Sequence, residues 1–393
     1  EHVSGAMLSQ AFIDACVEAG IPHTPDYNGP QFEGVGWLQM NTHKGFRFAV
    51  KEGYIRPALS RANLELRTDA LVSRVTFEDK RATGVEYSRN GGRFHARAGA
   101  AVILCAGAIQ SPQVMELSGV GDPNRLGTLG IPITTELPGV GENCRDHLHT
   151  RVSYECRDGG TLNDIMANPI KQYLMGANFW LRKKGLMTGS TASVHALTSD
   201  APGTKQPDFK LQLHFMTSIS PRDPDKIMFD KHPGFGIGSF QLRPHSKGAV
   251  HIRSTDPDEA PAISANYVAD ERDRQSAIAA VRMCRKIAEQ PALRNFIVRE
   301  TRPGPEATTD EALLEHIRQD GTTSYHPVGT CRMGADEMSV VDNELRVHGL
   351  DRLRIADASI MPTIPASNTH APSIMIGERC ADLLLAEAAA RQI

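Results

Sequence analysis

The chain has 393 residues, 40% of them hydrophobic and 23% charged, with a net charge of −3. That length calls for two domains rather than one core, and the near-neutral charge gives no electrostatic case for nucleic acid or an anionic membrane as partner. No run reaches the roughly eighteen apolar residues needed to span a bilayer, and seven cysteines without a CxxC pair suit a reducing, cytoplasmic compartment better than a disulfide framework or a zinc site.

Residues 7–19 place Leu8, Phe12, Ala15 and Ala19 on one helical face, with Gly20 where the helix stops. A turn-rich stretch follows over 21–36. Residues 63–75 and 85–88 read as strands, and DKRATG (79–84) reads as the hairpin turn before the second. Residues 100–105 form a continuous apolar run entering Ala106, Gly107 and Ala108, the pattern of a buried strand ending on a close-packed turn. Between 151 and 320 the strand-like pieces include 209–215 and 248–253. One clear helix, 271–289, carries Ile278, Val281, Cys284 and Ala288 on its buried stripe. A short strand over 353–356 ends on Asp357. A last helix runs over 372–385, with Pro372 in a first turn that needs no N–H donor.

Three stretches hold residues suited to chemistry. In SYHPVGTCRMG (324–334), Pro327 restricts the backbone beside His326, Gly329 allows close approach, and Thr330, Cys331 and Arg332 are small or polar. A histidine there is either a turn residue bonded to backbone or a base, since a neutral imidazole accepts a proton near pH 7. In SNTHAP (367–372), Asn368 is either a helix cap or a neutral hydrogen-bond donor, and His370 competes with it. GAIQSPQVMELSGVG (107–121) opens a further helix. Neither His147 and His149 nor His245 and His251 have companions at a spacing that closes a metal site, so no metal is expected. Cys331 reads as a packing residue.

These stretches, with LRIADASIMPTIPASNTHAPSIMIGERCADLL (353–384), resemble the glucose–methanol–choline (GMC) family of FAD-dependent oxidoreductases, in wording closest to its choline- and alcohol-dehydrogenase branch. The resemblance covers essentially the whole chain. It implies an α/β fold, α+β overall: a Rossmann-like FAD-binding domain, incomplete at its N-terminus, with an inserted antiparallel-sheet substrate-binding domain. The implied division is 1–40 as a lead-in to the substrate domain, 41–150 as the middle of the FAD-binding domain, 151–320 as the substrate-binding domain, and 321–393 as the catalytic C-terminal segment.

The implied reaction is oxidation of an alcohol to an aldehyde or ketone with hydride passing to FAD; a quinone, a carrier or oxygen then accepts the electrons. His326 takes the place of the base and Asn368 that of the group that holds the substrate oxygen, in preference to His370. Val72, Ala106, Gly107, Asp357, Ala358, Thr369 and His370 match cofactor-binding positions: Val72 at the adenine, Ala106 and Gly107 in close passage, Asp357 and Ala358 at the ribityl and pyrophosphate, and His370 on the pyrimidine side. Glu116 departs from the family pattern, which has an aliphatic residue there. The chain also has no strand–GxGxxG–helix loop for the pyrophosphate. The resemblance therefore implies a further portion ahead of Glu1, in the same polypeptide or as a second chain, and weak FAD binding without it. A cyanohydrin lyase on the same scaffold, and a non-catalytic fragment, are the alternatives.

Overall fold

Residues 6–157, 160–200, 206–218 and 228–390 are described by the structure, a computed structural model. They fall into two units woven from alternating stretches of chain. Unit 1 takes Glu1–Ala58, Leu148–Leu242 and Asp270–Ser324, and unit 2 takes Leu59–His147, Arg243–Ala269 and Tyr325–Ile393. Residues 243–269 go with unit 2 because their backbone and side chains are tied there: Gly248 pairs with Cys144, and Glu116 holds both His251 and the amide of Ile252.

Unit 1 is built on an antiparallel sheet in the order Gly34–Trp37, Ala192–Thr198, Phe209–His214, Gly234–Gln241, Leu148–Cys156 and Ile297–Arg302, with Thr322–Thr323 paired to Leu148–Cys156. The period of two along GFGIGSFQ sends Phe235 and Ile237 to one side, where both are fully buried. That side meets the helix Glu271–Ala288, whose Ile278, Val281, Cys284 and Ala288 are buried. Gly236 and Gly238 point the other way and leave room for their neighbours. A Cβ at Gly238 would come within 2.4 Å of His149 Nε2 and 2.8 Å of His214 Nε2. The helix Ala6–Glu18 buries Leu8, Phe12, Ala15 and Cys16 completely.

Two expectations about elements need correction. Among its described residues the stretch 151–320 also holds the α-helices Leu162–Met166, Pro169–Arg182, Pro291–Arg294 and Asp310–Asp320 besides Glu271–Ala288. Two are too short to show a period, and Pro169–Arg182 turns its apolar residues outward, so it does not read as a core helix. The hairpin turn is tighter than DKRATG suggests. Asp79 adopts φ 54°, which reverses the chain at once, so Arg81–Arg89 and Leu71–Glu78 pair directly from Glu78↔Arg81, and residues 63–70 lie outside the strand.

Unit 2 has Val102–Leu104 and Leu353–Ile355 as a parallel pair, with Leu353 opposite Val102 and Ile355 opposite Leu104. Extended by two residues, that register brings Asp357 level with Ala106. The helices Gly107–Leu117 and His370–Ala390 start from the same end. Ligands of open α/β sheets gather at the carboxyl ends of parallel strands, so the fold directs attention there.

Lys210, on Phe209–His214, is 1% exposed, and burial pulls its pKa down from the usual 10.5 to about 8. Between those values the unfolded chain holds a proton that the folded chain has released, so stability rises with pH across this window. Below it, both states are charged and folding carries the desolvation cost, about 3 kcal/mol for a shift of this size. Urea unfolding of wild type against Lys210→Met should show their difference moving by about that amount in favour of wild type from pH 8 to 10.5. A difference independent of pH would contradict a desolvated ammonium.

Candidate active site

His326 is 8% exposed and sits in a segment held on both sides within unit 2. Val328 exchanges backbone hydrogen bonds with Arg145 at 2.9 and 3.0 Å, Gly329 N donates to Ala358 O, and Cys331 N donates to Ser359 O. Gly329 has φ +90°, and a Cβ there would lie 2.6 Å from Asn143 O, so only glycine passes that close. Thr330 Oγ1 donates to Ala108 O at 2.6 Å. The loop after the histidine is therefore pinned to the start of the Gly107–Leu117 helix.

The imidazole of His326 is gripped at both nitrogens. Nδ1 lies 3.0 Å from His147 Nδ1, and Nε2 lies 3.0 Å from Asn368 Nδ2. With the Asn368 amide nitrogen toward it, Nε2 is an acceptor. A neutral His326 then carries its proton on Nδ1 and donates it to His147. The Asp146 carboxylate sets this geometry, although no sequence signal marked it: Oδ1 accepts from His147 N at 2.8 Å and from His326 N at 2.9 Å, and Oδ2 accepts from Tyr267 OH. The partners lie 180 and 121 residues from Asp146, a separation that no local pattern reports.

The remaining candidate residues divide between two places. Asp357 is fixed rather than free: its Oδ2 accepts from Gly107 N at 2.9 Å and Ser111 Oγ at 2.5 Å, and its Oδ1 accepts from Ser359 N at 2.7 Å. Ser111 matches the family signature in 107–121, but nothing in the sequence assigned it a role. Ala106 stands at the N-cap of the Gly107–Leu117 helix and has no side chain to cap it, so Asp357 takes the first amide. A cavity of about 550 Å³ lies there, lined by Leu71, Ala106, Gly107, Ala108, Gln110 and Pro327 among others. Leu71 rather than its neighbour Val72 lines it, since Val72 packs on the core. Gly107 has φ +81° with nothing within 4 Å of where a Cβ would stand. Ala358 begins the short 3-10 turn Ala358–Ile360 behind Asp357. Thr369 O accepts from both the amide and the hydroxyl of Ser373, and His370 is exposed as the first residue of His370–Ala390.

A flat, phosphate-bearing cofactor fits these features: a cavity with open space over Gly107, beside a helix N-terminus whose dipole favours an anion. Cys331 is fully buried, and burial, then the nearby Asp357 charge, push its thiol well above the ordinary range, which suits packing and not reactivity. Glu116, the departure from the family pattern, is fully buried. It accepts from Ile252 N at 2.8 Å and lies 2.7 Å from His251 Nδ1, whose Nε2 lies 3.0 Å from Glu142, so the carboxylate has its own partners. Among the described residues no three His, Cys, Asp or Glu side chains are arranged to hold a metal ion.

Fold and site together define a nucleotide-binding oxidoreductase of α/β type. The sequence model of the N-terminal GMC oxidoreductase domain matches residues 2–149, and that of the C-terminal domain matches residues 244–377. An oxygen-dependent choline dehydrogenase of Chromohalobacter salexigens is 40% identical over 95% of the chain and 66% of its own length. The one from Escherichia coli O139:H28 is 41% identical over 96% and 67%. The chain thus spans about two thirds of the length of the curated relatives it matches. Among solved structures, pyridoxine 4-oxidase from Mesorbium loti superposes with a TM-score of 0.83 at 25% identity over 97% of the chain and 70% of its own. Formate oxidase of Aspergillus oryzae, similar in fold, has a TM-score of 0.88 at 22% identity over 98% and 72%. This chain belongs to the GMC oxidoreductase family.

Replacing Asp146 by Asn would set an amide NH₂ against buried donors. Asp146→Asn should lower stability by about 2–3 kcal/mol, and Tyr267→Phe by roughly 1–2 kcal/mol, because the latter removes one hydrogen bond to the carboxylate while the two backbone amides keep their acceptor. Denaturant unfolding at pH 7 checks the order. Equal stability of Asp146→Asn and wild type would show that the carboxylate does not organise the site.

Proposed function

We propose that this protein oxidises a small alcohol to an aldehyde or ketone in the presence of FAD. One observation carries the reading: an unprotonated imidazole nitrogen and a neutral amide donor 3.0 Å apart, His326 Nε2 and Asn368 Nδ2. FAD, when bound, supplies the hydride acceptor. The residues suited to hold it are Ala106, Gly107 and Ala358 with the Asp357 turn, with Thr369 and His370 at its edges and Leu71 in place of Val72 on the cavity wall.

His326 accepts the hydroxyl proton at Nε2 as the carbinol carbon gives up its hydride. Its other nitrogen is fixed by His147, so the lone pair keeps one direction. Asn368 donates to the same substrate oxygen and steadies it as it becomes alkoxide-like, without adding a second titrating group. Asp146 fixes the backbone of both histidines and acts as a positioning residue. Relatives named choline dehydrogenase favour a small alcohol of that kind as substrate and oxygen as one acceptor, beside a quinone or carrier. A reducing, cytoplasmic setting is the compartment that seven cysteines without a CxxC pair suit best. No observation favours the lyase or the non-catalytic reading.

His326→Ala should slow flavin reduction in anaerobic single-turnover mixing by about a hundredfold or more, the usual scale for loss of a general base, with FAD still bound. Near-normal reduction by that variant would remove His326 from the mechanism. Asn368→Ala should slow the same step more than His370→Ala, because only Asn368 reaches His326. The reverse order would exchange their roles.

A further inference from the structure

The helix Pro169–Arg182 of unit 1 reads PIKQYLMGANFWLR and is amphipathic with its apolar side outward. At about 100° per residue, Trp180, Tyr173, Ala177, Ile170, Leu181 and Leu174 share an arc of about 120°, with Phe179 opposite. Phe179 is 6% exposed, whereas Ile170 is 70%, Tyr173 76%, Leu174 59%, Trp180 67% and Leu181 84% exposed. Water therefore meets the stripe that a helix of this pattern ordinarily buries. Phe46, 47% exposed, packs edge-on against Phe179 and Trp180 and widens the patch.

The charges that this stretch of chain itself supplies have one sign. Lys171, Arg182, Lys183 and Lys184 stand on or just beyond the helix, and no acidic residue occurs between Asp164 and Asp200. Lys183 Nζ lies 4.4–4.9 Å from the ring centroids of Trp180, Phe46 and Phe179, so it sits in the aromatic patch itself. The overall charge of −3 conceals this local excess.

We propose that this face docks on an anionic lipid surface, with the helix lying in the plane of the headgroups. An exposed apolar arc, Trp and Tyr at its border and unopposed Lys and Arg beside it are the features that hold a helix at a membrane interface. Its 14 residues extend about 21 Å, enough to lie along the boundary and too few to cross it. A second copy of the chain fits less well, because a twofold contact would bring the same cationic patch of both copies together. The docking is independent of the catalytic reading.

The test is co-sedimentation of the chain with phosphatidylcholine vesicles, with and without phosphatidylglycerol, and with salt added. Binding should be about tenfold or more stronger on the anionic vesicles and weaken with salt. Leu174→Glu/Leu181→Glu and, separately, Lys171→Glu/Lys184→Glu should each reduce it by about tenfold, with circular dichroism unchanged. Trp180 emission should shift to the blue on binding, a change lost in Trp180→Phe. Equal binding to both vesicle types, no binding, or variants that bind as wild type does would overturn the proposal. So would a dimer in sedimentation equilibrium that Leu174→Glu/Leu181→Glu dissolves, since that assigns the face to a second copy.

Discussion

The proposed chemistry depends on one carboxylate that takes no part in it. Asp146 accepts two backbone amides and a tyrosine hydroxyl. The amides belong to the two histidines whose rings touch through Nδ1. Hydrogen bonds to an ionised acceptor are the stronger ones, and here they lock backbone rather than side chains. The rings inherit a fixed origin, and the only freedom left to His326 is rotation, which His147 and Asn368 restrict.

A similar division of labour appears at the end of the parallel strands. Asp357 is engaged by Gly107 N, Ser111 Oγ and Ser359 N, so it shapes the turn over which a cofactor can lie. Gly107 supplies the empty space and Gly329 the close passage. In both places an acidic side chain holds backbone in position and leaves other groups to face the open space. Such a site is preorganised, which is what electrostatic stabilisation of a developing charge requires.

The outward face of Pro169–Arg182 shows how an average can mislead. A net charge of −3 gives no reason to expect attraction to anionic lipid. Yet the distance over which charges act in physiological salt is about 8 Å. On that scale the four cations beside the helix matter and the acids elsewhere do not.

Much was legible in the sequence. The motif around His326, the Asn368 turn and the Gly107 signature are local strings, because close backbone approach and a helix start each demand particular residues at particular positions. The helix at 271–289 was visible from its period, and a sheet-based unit was expected from its strand-like pieces, its antiparallel order only from the family resemblance. Local strings could not show Asp146 and Tyr267 meeting across 121 residues, Glu116 finding His251, or the assignment of 243–269 to unit 2. Those depend on which segments tertiary packing brings together, and a lone Asp or Glu carries no mark of its partner. Nor could a hydrophobic period say which way a helix faces: the same spacing buries Ile278 and exposes Leu181. The sequence by itself determined the family, the candidate base and its amide neighbour, because those positions tolerate few residue types. Only the tertiary structure decided what holds them and which apolar face remains in water, because both follow from contacts between residues far apart along the chain.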